Sequence, residues 1–131
     1  MRENYTLIIR SKSETVYLHL DDVLYVQADG NYSDIFFADG GVVRTLTYQR
    51  AEIARMIEEQ MPACVSSRFK MLGRSYMVNS DYVLRIQPGK QRLTFRVNSF
   101  GTDKKVTIKA TAKALDLLAE EMYPRESDAG E

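Results

Sequence analysis

The sequence predicts a mostly β domain of the α+β class, built from short, mainly antiparallel strands with two short helices at about 48–60 and 110–122. Three observations predict it. Apolar residues cluster or alternate in short runs of about five to seven residues. Gly-, Asn- and Pro-bearing turns punctuate those runs. Only two stretches switch to helical spacing, and each is followed by a proline, Pro62 and Pro124.

Residues 4–10 (NYTLIIR) and 14–20 (ETVYLHL) read as strands separated by a Ser/Lys turn. In the second, Val16, Leu18 and Leu20 share one face while Tyr17 and His19 take the other. His19 is thus a surface strand residue, with no second histidine to assist it. Residues 23–28 (VLYVQA) form a continuous apolar run, as in a strand covered on both faces. Asp29-Gly30-Asn31 is a turn, because Gly and Asn tolerate positive φ. Residues 32–38 return as the partner strand, Asp39-Gly40-Gly41 makes a second turn, and 42–46 follow as a third strand.

Thr47 is the expected N-cap of the helix at 48–60, in which Ile53, Ile57 and Met61 form one stripe beside Ala54. Strands are expected at 67–72, 75–79, 82–87, 91–97 and 104–109, punctuated by Pro88-Gly89 and Gly101. The closing helix, 110–122, places Ala110, Ala114, Leu117 and Leu118 on one face. Residues 1–123 form one domain, and 124–131 (PRESDAGE) form an acidic, disordered tail.

At 131 residues the chain holds one domain, with no apolar stretch long enough to span a membrane. The N-terminus turns polar too soon for a signal peptide, and the single cysteine, Cys64, excludes an intrachain disulfide. Both features point to the cytoplasm. The inventory argues against an enzyme: no nucleophile elbow, zinc-protease helix or phosphate-binding glycine loop occurs. Asp21-Asp22 reads as a cap for the bend before Val23, and Cys64 as a small core residue. One histidine and one cysteine build no stable metal site, and Asp29-Gly30-Asn31 lacks the rest of a calcium loop. No metal or cofactor is expected.

The net charge of zero conceals a polarity. Residues 1–61 carry a net −4, residues 62–115 a net +9 and residues 116–131 a net −5. A basic block suits phosphate backbones or is simply a solvated face, and charge alone leaves both readings open. Its cations are Arg68, Lys70, Arg74, Arg85, Lys90, Arg92, Arg96, Lys104, Lys105, Lys109 and Lys113. Phe69, Tyr76 and Phe95 interleave with them, but their alternation with polar residues suits core positions better than base-stacking platforms.

The run 69–79 (FKMLGRSYMVN) resembles the F-x-R-x-H-R-S-Y-(apolar)-V-N signature of the LytTR family, the DNA-binding output domain of many bacterial two-component response regulators. Residues 23–32 (VLYVQADGNY) are similar to the family's I-x-Y-(apolar)-E-A-x-G-N-Y segment, and 106–109 (VTIK) fall where it has P-V-S-R before a closing helix. The likeness spans about residues 4–120. It implies an elongated arrangement of short strands whose end loops, not a recognition helix, enter successive major grooves. It also implies a transcription regulator that reads short direct repeats in duplex DNA, often as a pair of copies.

Carried over by position, the resemblance places Asn31, Tyr32 and Ser33 in a first DNA-contacting loop, with Ser33 nearest the contact. It makes Arg74 a base-contacting residue and matches Lys109 to the Arg of the P-V-S-R step. Arg68, Lys70, Lys104, Lys105 and Lys113 are the expected phosphate contacts. Gly73 stands where the family usually has His, which should loosen that loop, and Lys109 lacks the two-pronged reach of an arginine. Asn79 reads as a turn residue bonding its own backbone. The phospho-receiver domain of response regulators is absent from these residues, and Met1 with the polar tail favours a natural short protein. Two other functions compete: a single-stranded nucleic-acid binder, and a β-rich protein-interaction module without DNA binding.

Overall fold

The computed structural model describes residues 5–45, 48–99 and 101–123. Ten strands form three antiparallel sheets. β1 (Thr6–Arg10) pairs with β2 (Thr15–His19) as a two-stranded hairpin. β3 (Val23–Asp29), β4 (Tyr32–Phe37) and β5 (Val42–Thr45) form the expected meander. Together with β6 (Phe69–Leu72) and β7 (Tyr76–Asn79) they make a five-stranded sheet in the order β5-β4-β3-β7-β6. β8 (Val83–Gln87), β9 (Arg92–Ser99) and β10 (Thr102–Lys109) make the third sheet, with β9 in the middle.

The five-stranded sheet is covered on both faces, which is why residues 23–28 are apolar without alternation. One core packs Val26, Ile35 and Met77 of that sheet against Leu7, Ile9 and Leu18 of the first hairpin and against Ile53 and Ile57 of α1 (Arg50–Gln60). The other packs Tyr25, Leu72 and Val78 against Leu93, Phe95 and Ile108 of the third sheet and against Leu115 and Leu118 of α3 (Ala112–Met122). A register shift between Val23 and Tyr25 lets the consecutive residues Leu24 and Tyr25 both join the second core, while Val23 and Val26 lie in the first. Tyr25 stacks on Phe36 at 4.5 Å and on Phe95 at 5.5 Å between ring centroids, tying the second and third sheets together.

Several expectations are corrected. Helix α1 begins at Arg50, where Gln49 and Glu52 form a reciprocal capping box; Thr47 lies outside the described residues, as does the 124–131 tail. A third helix, α2 (Ala63–Ser66), follows Pro62, whose carbonyl accepts from the Val65 and Ser66 amides. Cys64 sits on that single turn and is exposed, not in the core. Helix α3 is capped by Thr111, and its buried face is Leu115 and Leu118; Leu117 is 59% exposed. The helix starts at Ala112, two residues after the expected Ala110; Ala110, Ala114 and Leu118 lie against the second core as expected, with Leu115 in the place of Leu117. Asp21 pairs through its carboxylate with Arg68 across the chain.

Candidate nucleic-acid interface

Pairing of β3 with β7 brings two turns to one end of the central sheet. β3 runs out into Asp29-Gly30-Asn31 just where β7 begins, with Gln27 opposite Tyr76. The Ala28 amide donates to the Ser75 carbonyl at 2.7 Å, stitching the first turn to the second, Gly73-Arg74-Ser75. Gly30 has φ +63°, the left-handed conformation that lets β3 fold directly back into β4.

At the first turn Asn31 and Tyr32 are exposed. Ser33 is not: it is fully buried, and its hydroxyl donates to the Tyr48 carbonyl at 2.8 Å. The strand begins at Tyr32, so alternation turns the next side chain inward. Ser33 therefore supports the turn from inside and is unavailable to a ligand. Arg44 on β5 braces the same turn from outside. Its Nε donates to Asp34 Oδ1 at 2.7 Å and its Nη2 to Asp34 Oδ2 at 2.9 Å, a two-pronged contact. Nη2 also reaches Asp29 Oδ2 at 2.5 Å, and the guanidinium lies over the Tyr32 ring at 4.7 Å. Hydrogen bonding to Arg44 holds the Asp34 carboxyl below the usual carboxylate range, despite some opposing desolvation. The same bonds raise the Arg44 value further.

The second turn is braced by Arg50. From the first turn of α1, its Nη1 donates to the Gly73 carbonyl at 2.8 Å and the Tyr76 carbonyl at 2.9 Å. These two bonds bracket Arg74. The Gly73 carbonyl is thus held rather than free, contrary to the looseness expected of a glycine there, and its φ of +60° makes glycine apt. Desolvation lowers the Arg50 value, as fits a guanidinium partly withdrawn from water to serve backbone carbonyls.

Arg74 itself is exposed and has no ion-pair partner among the described residues. Asp81, a candidate partner for it, is instead 3.4 Å from Arg68 Nε. Between this turn and the start of α3 lies an open groove of about 430 Å³, lined by Arg74, Tyr76, Lys109, Thr111 and Ala114 among others. Arg74 and Lys109, far apart in sequence, thus share one rim. Lys113 is exposed in the first turn of α3.

The remaining basic candidates lie elsewhere. Arg68 is half-buried and answers two carboxylates, Asp21 at 2.9 Å and Asp81 at 3.4 Å. Lys70 Nζ is 4.0 Å from Glu121. Lys104 and Lys105 are exposed on β10, about 13 Å or more along the strand from Lys109 at roughly 3.3 Å per residue. The aromatics are core material: Phe95 is fully buried, and Phe69 and Tyr76 are partly buried against the two cores. Asn79 is a turn residue, accepting from the Asp81 amide at 3.1 Å and donating to the Val23 carbonyl at 2.9 Å. The braces Arg44 and Arg50 were not singled out from sequence, because their partners are backbone carbonyls and carboxylates that only the folded register assembles.

No family model matches the chain, and no curated protein matches it. Among solved structures it is similar to the LytTr DNA-binding domain of a methyl-accepting/DNA response regulator from Bacillus cereus. The TM-score is 0.53 at 13% sequence identity, covering 92% of this chain and 98% of that one. The likeness is one of fold.

Proposed function

We propose that this chain, having the LytTR fold, binds duplex DNA in a sequence-specific way and acts as a transcription regulator. The observation that carries the reading is the placement of Arg74. It is an exposed guanidinium with no ion-pair partner among the described residues, on a turn held by Arg50 and facing Lys109 across one groove. A guanidinium so placed is free to form a forked contact with a guanine edge, while Lys109 offers a mobile single charge. Asn31 and Tyr32 form a second exposed projection at the same end of the sheet, so two loops enter the groove together. Lys104, Lys105 and Lys113 supply phosphate contacts, which position the protein without reading sequence. Arg68 leaves that set because its two carboxylate partners already neutralise it. Two copies would occupy direct repeats side by side.

Competition between duplex and single-stranded DNA of one sequence tests the reading. Duplex should win, and log K should fall against log salt with a slope near −4 to −5, for roughly five neutralised phosphates. Preference for single strands would favour a stacking binder. A slope near zero, or no binding to either, would favour a protein-interaction module.

A further inference from the structure

The outward face of the third sheet carries a pattern that the two loops do not account for. Along β9, Leu93, Phe95 and Val97 point into the core, so Arg92, Thr94 and Arg96 point out. Along β10 the outward set is Lys105, Thr107 and Lys109. The register sets Arg92 directly opposite Lys109 and Arg96 directly opposite Lys105. Arg85 of β8 faces Thr94 from the other side, so three successive rows, those of Arg92, Thr94 and Arg96, each hold at least one cation, and the next row, Asn98 opposite Asp103, ends the basic stretch with a carboxylate. Like charges directly opposite in an antiparallel ladder destabilise it, and here the mismatch occurs twice on one face. Among the described residues, the one ion pair on this face is Arg96 Nε to Asp103 Oδ1 at 3.6 Å. Between the two cation pairs, Thr94 and Thr107 lie with their hydroxyls 3.4 Å apart. The chemistry is that of a site for a row of oxyanions: forked and point charges at both ends, hydroxyl donors between.

We infer that this face is a track for the phosphates of the same duplex, extending the contact beyond the bases that the Arg74 end reads; the inference rests on the duplex reading above. Two observations choose this occupant. Lys109 belongs both to the face and to the groove it shares with Arg74, so the two surfaces are continuous. The cation pairs are about 13 Å apart along the strands, four residues at roughly 3.3 Å, which suits a repeating polyanion better than one small anion. The repulsion persists in the free protein and is relieved when phosphates occupy the face, a trade of stability for binding.

The test uses the full chain with Arg85→Gln, Arg96→Gln and Lys105→Gln combined, and Lys105→Gln alone, because Lys105 has no ion pair to lose among the described residues. The probes are a duplex bearing the preferred site and a scrambled duplex of equal length. In the triple variant, affinity for both should fall by the same factor, on the order of a hundredfold at 0.1 M salt, and the salt slope should flatten by about three units. In the single variant the slope should flatten by about one unit. Preference between the duplexes should not change, and melting temperature at low salt should stay equal or rise. Unchanged affinity and slope in variants whose parent binds duplex would overturn the phosphate track while leaving the duplex reading intact. A fall in affinity matched by a fall in melting temperature in both variants would also overturn it, by making these side chains structural. A parent that binds no duplex would overturn the reading beneath it.

Discussion

Arg74 and Ser33 sit in opposite environments, one exposed on a turn and the other buried behind one. Arg74 projects from a braced turn and leaves no carboxylate behind when truncated, since Asp81 belongs to Arg68. Arg74→Ala should therefore cost about 1–3 kcal/mol on the preferred duplex and little on scrambled duplex, with melting temperature unchanged. Equal losses on both duplexes together with a lower melting temperature would make Arg74 structural. Ser33 behaves in the opposite way. Ser33→Ala would leave the part-buried Tyr48 carbonyl with only the Thr45 hydroxyl at 3.5 Å in place of the donor at 2.8 Å, costing about 1 kcal/mol of fold stability. Denaturant unfolding should show that loss, while the preference between duplexes stays as in the parent. The resemblance placed Ser33 nearest the contact by its position in the family's segment; strand alternation, starting at Tyr32, is what buries it.

At the scale of elements, the first turn depends on a strand that is distant in sequence. Arg44 of β5 joins Asp29 and Asp34 across the meander, and the folded-state value of Asp34 is lowered by that hydrogen bonding. A lowered value stabilises the fold above the ordinary carboxylate range and loses that contribution as pH falls through it. Arg44→Ala should therefore be less stable than the parent at pH 7, with the gap narrowing below about pH 4. Unfolding by denaturant at pH 7 and pH 3 checks this; a gap that does not narrow would mean that Arg44 acts through packing alone. Much at this scale was legible in the sequence. Alternation and turn residues located all ten strands, because a half-buried strand and a Gly-bearing turn each leave a local signature. What local signatures cannot carry was missed. Helix α2 is a single turn, too short for any periodicity, so exposed Cys64 read as core. The inward face of α3 is set by its packing on the second core, which buries Leu115 and Leu118 and leaves Leu117 outward. The pairing of β3 with β7, which gathers Asn31 and Arg74 at one end, is a tertiary fact without local trace.

For the whole molecule, the layered sheets explain why cations 35 residues apart in the chain line one groove. The central sheet sets the two turns side by side, α3 packs beside β6 and the turn after β8, and the strand-to-helix step at Lys109 closes the groove beneath Arg74. Charge at this scale is also modulated by the terminus: deleting residues 124–131 removes three Asp/Glu and one Arg. Duplex affinity should then stay equal or tighten modestly at low salt, and marked weakening would assign the terminus a contact of its own. Whether this end of the sheet reads base sequence, as proposed, is decided by selecting bound duplexes from a random library. The parent should yield a pair of recurring short motifs at fixed spacing, and Arg74→Ala the same motifs with one position relaxed. Recovery of unrelated sequences by the parent, or an unaltered motif from a folded Arg74→Ala protein, would contradict it.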